Sequence, residues 1–170
     1  TNVVDTSAAS SEELKEQVKE FATAFRPLEA ERLYLLADAR TGARFCECHI
    51  SAGKLVQLAT IDVPLDPDDQ PEYRANRELV EDHVAFEKMR EDALARRTFS
   101  NLVAEYATTY DSEHPLKVIG GQHRFSAIRE ALALEVDEFH GVKVYFGLDN
   151  EQRLDVQLIS NTNIAVSTDL

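Results

Sequence analysis

Five consecutive residues, Gly120-Gly121-Gln122-His123-Arg124, concentrate the groups best suited to hold an anion in this 170-residue chain. The apolar run Leu116–Ile119 precedes them, and Phe125, Ile128 and Leu132 follow at helical spacing. A strand passing through two glycines straight into a helix brings several backbone N–H groups to one point. Those donors, with the helix dipole, favour a phosphate. Glycine tolerates positive φ and lets a ligand come close to the backbone. Arg124 can add a forked, charge-assisted contact to phosphate oxygens, and His123 can donate to the same group or move a proton near neutral pH. Gln122 can read a base or sugar, or tie the loop together. An ordinary strand-to-helix turn with a solvated arginine has the same spacing, so the pattern alone leaves both readings open.

Other constellations carry less. Cys46-Glu47-Cys48-His49 invites a zinc reading, but on a strand the two thiols share a face with Ile50 while His49 faces away. No second cysteine pair exists, so buried apolar cysteines are expected, and a disulfide across one residue would be badly strained. Asp66, Asp68 and Asp69 lack the glycine and glutamate of a calcium loop and read as a solvated face. Arg74 and Arg77 can supplement a phosphate site or simply balance nearby acids. Arg96-Arg97 before Thr98 forms a small basic patch, too small for tight nucleic-acid binding at physiological salt.

VIGGQHRFSAI resembles the phosphate-binding motif of the ParB/sulfiredoxin superfamily, in particular its DGQHR branch, which includes proteins associated with DNA modification and restriction. The layout from Leu55 to Leu170 is similar as well: helix, strand (VKVYFGL), helix, then the Asn-bearing segment Ile159-Ser-Asn-Thr-Asn163. The resemblance implies that Gly120, Gly121, Gln122, His123 and Arg124 cradle the phosphates of a nucleoside triphosphate. It also implies that Asn161, with Asn163 beside it, takes the place of the asparagine that helps bind nucleotide and Mg²⁺, and that Arg74 and Arg77 lie where such proteins carry an arginine ahead of their first core helix. Three departures bear on the chemistry. Gly120 stands where the branch has Asp, and Ser160 where the family's second box has Glu. Gln122 replaces the cysteine that sulfinyl reduction requires, so that activity has no nucleophile. The expectation is therefore a nucleotide-binding switch, with NTP hydrolysis an open step, in a DNA-directed system. The alternatives are a non-catalytic DNA-binding or regulatory module and a nucleotide-dependent small-molecule kinase. The kinase needs a general base, and the motif holds no carboxylate.

The elements that must position these residues follow from periodicity. Leu14, Val18, Phe21, Phe25 and Leu28 form one helical stripe after a Ser10–Glu13 capping box, and Pro27 begins a second helix over 28–40. This predicts an N-terminal helical hairpin or kinked helix over 1–42, packed on the main domain or on a second copy as a homodimer, with residues 1–10 frayed. Alternation over 43–63 predicts a β-hairpin, and Phe99, Val103, Tyr106 and Tyr110 predict a helix begun at Thr98 or Ser100. Asp149 with Gln152 is a further capping box. The fold class is α+β: a small mixed sheet flanked by helices, ParB/sulfiredoxin-like over 43–170.

The bulk numbers narrow partners. A 44% hydrophobic content supports a real core, while net charge −13 argues against this chain alone gripping DNA. The charge is uneven: 61–82 holds eight acids and two bases, whereas 86–129 holds seven bases and six acids, so the glycine turn sits where the chain is least acidic. DNA contact would need a basic domain following Leu170 or a partner, which suggests a fragment of a longer protein. No apolar run approaches the ~18 residues that span a bilayer, and a cytoplasmic protein is expected.

Overall fold

The computed structural model describes residues 2–5, 11–29, 32–61, 83–99, 102–109 and 112–168, with side chains for all of these except 2, 83–85 and 161–168. The elements in chain order are β1 (Asn2–Asp5), α1 (Glu12–Ala24), β2 (Arg32–Ala37), β3 (Arg44–Ser51), α2 (Ala52–Leu58), β4 (Ala59–Ile61), α3 (His83–Leu94), β5 (Leu102–Tyr106), β6 (Leu116–Gly120), α4 (Gln122–Ala133), β7 (Phe139–Phe146) and α5 (Asn150–Thr168). One mixed seven-stranded sheet runs in the order β1-β2-β3-β7-β5-β6-β4. Pairs β1·β2, β4·β6 and β5·β7 are parallel; β2·β3, β3·β7 and β5·β6 are antiparallel.

Period-two burial decides which side of the sheet is core. Leu33 and Leu35 on β2, Cys46, Cys48 and Ile50 on β3, and Val142, Val144 and Phe146 on β7 all point to one face. There they meet Val18, Phe21 and Phe25 of α1 and Phe125, Ala127, Ile128 and Ala131 of α4. Phe21 is the centre of an aromatic cluster, 4.9 Å from Phe25, 5.5 Å from Tyr106 and 5.4 Å from Phe146 between ring centroids. The opposite face carries a smaller core of Ala43, Ile119, Tyr145, Leu148 and Val156, part of it supplied by α5. On that face Lys143 Nζ lies 4.2 Å from the Phe45 ring centroid and 5.3 Å from that of Tyr145.

Several expectations are corrected. Residues 2–42 are not a helical hairpin: α1 is a single helix, capped by Ser11 rather than Ser10, and it is flanked by β1 and β2 of the common sheet. Leu33 and Leu35 are buried while Tyr34 between them is exposed, a strand period that the leucine-rich composition of 28–40 disguised as a helix. The α1 stripe packs on the chain's own core, the first of the two placements expected of it. The predicted β-hairpin over 43–63 is a strand, a short helix and a strand, because Ser51 caps α2 through its hydroxyl to the Lys54 N–H. β3 pairs with β2 and β7, and β4 with β6, not with each other. The helix expected from Thr98 or Ser100 is strand β5, in which Leu102, Ala104 and Tyr106 share the core face. The 4, 3, 4 spacing of Phe99, Val103, Tyr106 and Tyr110 matches a helical stripe only by running past both ends of this strand. The acidic stretch 62–82 lies outside the described residues.

Candidate functional site

β6 is an interior strand with every residue from Leu116 to Gly120 buried. It ends at the glycine pair, and Gly121 turns the chain with φ 82° and ψ 31°, the left-handed region that a Cβ disfavours. α4 starts at once: the Phe125 N–H donates to the Gly121 carbonyl at 2.9 Å. The expected strand–turn–helix is therefore present. The N–H groups of Gln122, His123 and Arg124 form the first turn, where no intrahelical carbonyl lies ahead of them, and the N-cap residue has no side chain to occupy that space. All three side chains are half-buried at the helix start, and each makes contacts of its own. Farther along α4, the Arg129 guanidinium lies 5.7 Å from the Phe125 ring centroid.

Gly120 is closely packed at the strand end. A Cβ there would stand 3.0 Å from Ser160 Cβ, 3.1 Å from Ser160 Oγ and 3.3 Å from Val103 Cβ. Its missing side chain lets α5 lie against the strand end, and the space beside it is filled by protein. Ser160 is thus the neighbour of the Gly120-Gly121 turn on the α5 side. Gly120 and Ser160, which replace acids in the motif they resemble, meet each other in space.

The expected residues come together only in part. Asn161 and Asn163 lie on α5 one and three positions beyond Ser160, so the backbone brings that segment to the turn; their side chains are outside the described residues. Arg74 and Arg77 are also outside them. The basic patch at Arg96-Arg97 is neutralised: Arg96 pairs with Glu138 at 2.9 Å and Arg97 with Asp92 at 3.2 Å. Cys46 and Cys48 are free thiols in the core, each pushed up to about 12 by burial, and so are chemically quiet. His49 faces the other way and sits 3.5 Å from Glu29. Among the described residues no three His, Cys, Asp or Glu side chains are grouped to hold a metal ion. A cleft of about 760 Å³ lies elsewhere, along the start of α1, and is lined by Glu12, Glu13, Glu16 and Glu20. Its acidity opposes the anion that the glycine turn favours.

No family model, curated protein or solved structure matches this chain. What the turn can do rests on its own geometry.

Two groups escaped the sequence reading. Arg153 forms a bidentate pair with Glu105 (Nε–Oε1 2.8 Å, Nη2–Oε2 2.9 Å), and its guanidinium also donates to the Leu148 carbonyl and Asn150 Oδ1. Glu105 is only 3% exposed, and Lys117, buried on β6, is its cross-strand neighbour. His140 is buried, accepts the Phe99 N–H at Nδ1 (2.9 Å) and stacks on the Phe99 ring. Burial lowers its pKa to about 4 against the smaller opposing pull of Glu138 and Asp137. The partners lie 48 and 41 residues apart in sequence, and neither pair makes a local motif.

Proposed function

We propose that this chain is a nucleotide-binding domain of the ParB/sulfiredoxin type, acting as a ligand-operated switch in a DNA-directed system in the cytoplasm. The observation that carries the reading is the left-handed Gly121 joining interior strand β6 to α4 with no intervening residue. A phosphoryl group in front of that turn would meet the dipole's positive end and the first-turn N–H groups of Gln122, His123 and Arg124. The Arg124 guanidinium adds charge, and His123 adds a donor. The arrival of α5 beside the turn, bringing Asn161 and Asn163 into its neighbourhood, agrees with the order of elements in the family that the motif resembles.

Mg²⁺ fits the described residues poorly as a protein-held ion, because Gly120 and Ser160 provide no carboxylate at the turn. The reading therefore contains no hydrolytic step and rests on binding. A purely DNA-binding role draws less support, since Arg96 and Arg97 are paired with acids and the net charge is −13. Calorimetric titration with ATP, CTP and GTP in Mg²⁺, run alongside Arg124→Ala, tests the proposal. Saturable binding of at least one nucleotide, weakened in the variant, supports it. Salt-sensitive binding of duplex DNA with no nucleotide binding supports the alternative.

A further inference from the structure

The start of α5 is tied to the sheet and to the β2–β3 turn. Arg153 grips Glu105, Asp155 meets Arg40 at 2.7 Å, and the Gln152 amide donates to the Thr41 carbonyl at 3.1 Å. From those ties the helix carries Ser160, half-buried, to the end of β6, with its Cβ and Oγ 3.0 and 3.1 Å from where a Gly120 Cβ would stand. The two atoms are about equally close, so the hydroxyl lies along the strand end and does not point away from it. A serine inside a helix either points its hydroxyl to solvent or turns it back to the carbonyl four residues earlier. Thr23 on α1 takes the second course, donating to the Lys19 carbonyl at 3.0 Å. Ser160 does not: among the described residues its hydroxyl makes no hydrogen bond. A half-buried donor is thus left one residue from Gly121, at the turn whose N–H groups favour an anion.

We propose that Ser160 is a further ligand contact of the glycine turn, its hydroxyl donating a hydrogen bond to an oxygen of the phosphoryl group held at Gly121–Arg124. The inference rests on the nucleotide-binding reading above and names the part of the ligand that is recognised. Serine differs in kind here from a carboxylate at the same place. An ionised acid only accepts hydrogen bonds and repels a phosphate, whereas a hydroxyl donates. The negative charge on the acceptor puts this bond in the stronger, charge-assisted class. Recognition of a phosphoryl oxygen is blind to the base, so every ligand that presents the group gains equally, inorganic phosphate included. The bare Gly120 is what lets Ser160 stand this close to the turn.

Calorimetric titration of the whole chain with ATP, CTP, GTP and inorganic phosphate, in parent and Ser160→Ala, tests the contact. The variant should weaken nucleotide and inorganic phosphate by the same factor, about tenfold, as for losing one hydrogen bond to a charged acceptor. Alanine is the better helix former, so the urea midpoint should hold or rise. Ser160→Asp, titrated with inorganic phosphate in EDTA, should bind more weakly still, and most weakly at low ionic strength. Equal affinity in parent and Ser160→Ala overturns the contact and leaves the turn as a nucleotide site. A loss for nucleotide with none for inorganic phosphate overturns the phosphoryl assignment. Weaker binding together with a lower urea midpoint gives Ser160 a structural role and overturns the contact. Ser160→Asp binding phosphate as tightly as the parent overturns the need for a donor. If no probe binds the parent, the nucleotide reading falls and the contact with it. If inorganic phosphate alone binds, the nucleotide reading falls, and the phosphate titration of Ser160→Ala still decides the contact.

Discussion

Replacing Arg153 by methionine should cost about 3 kcal/mol of folding stability, the low end of the range for breaking a buried ion pair. The magnitude follows from what is left behind. Glu105 is 3% exposed and would lose both arms of a bidentate contact at 2.8 and 2.9 Å. Lys117, its cross-strand neighbour on β6, keeps one cation nearby and holds the loss below the upper end of that range. The reciprocal change, Glu105→Gln, leaves an arginine that is 28% exposed and still donates to the Leu148 carbonyl, so about 1–2 kcal/mol is expected. Because the two changes remove one interaction, the double variant should lose at least about 1 kcal/mol less than their sum. Urea unfolding followed by far-UV circular dichroism measures all four corners of the cycle. An Arg153→Met variant within about 0.5 kcal/mol of the parent, or strictly additive losses, would refute the claim that this pair pins α5 to the sheet.

Three further outcomes follow from the same geometry. His140 has its pKa lowered to about 4, so between its ordinary value near 6.5 and pH 4 the unfolded chain binds a proton that the folded one refuses. Its contribution is intact above pH 6.5 and falls by about 3 kcal/mol as pH drops to 4; His140→Gln should flatten that part of the stability–pH curve, and an unchanged slope in urea titrations would contradict the assignment. Gly121→Ala places a Cβ at φ 82° and should destabilise by about 1–2 kcal/mol in thermal or urea unfolding, whereas a neutral result would mean the turn is not left-handed in solution. Phe21→Ala, at the centre of the aromatic cluster, should cost about 3–5 kcal/mol in the same assay, and a loss under 1 kcal/mol would place α1 off the sheet.

The last third of the chain was legible in sequence because each signal there was local. Two glycines between an apolar run and a helical stripe can only be a break, and Asp149 with Gln152 formed the capping box their spacing suggested. The first third misled because Pro27 and Gly42 bracket 28–40 as helix start and stop signals do and leucine is a good helix former, yet Leu33, Leu35 and Leu36 lie in a strand. Val103 and Tyr106 misled in the same way, and β5 is a strand because it is flanked by β6 and β7, a fact of pairing that no window of sequence contains. At the candidate site, the residue types pointed to the turn, but the partner of Gly120 could not be foreseen. Ser160 lies 40 positions away, and only the path of α5 brings the two together.

The central claim is that the Gly121–Arg124 turn binds the phosphates of a nucleotide, and isothermal titration of ATP, CTP and GTP into parent and Arg124→Ala protein tests it most directly. The account predicts saturable one-to-one binding of at least one nucleotide, competed by excess inorganic phosphate and weakened about tenfold or more in Arg124→Ala, as expected for losing a charge-assisted contact of about 1.5–3 kcal/mol. No heat of binding for any of the three, or equal affinity in parent and variant, would contradict it.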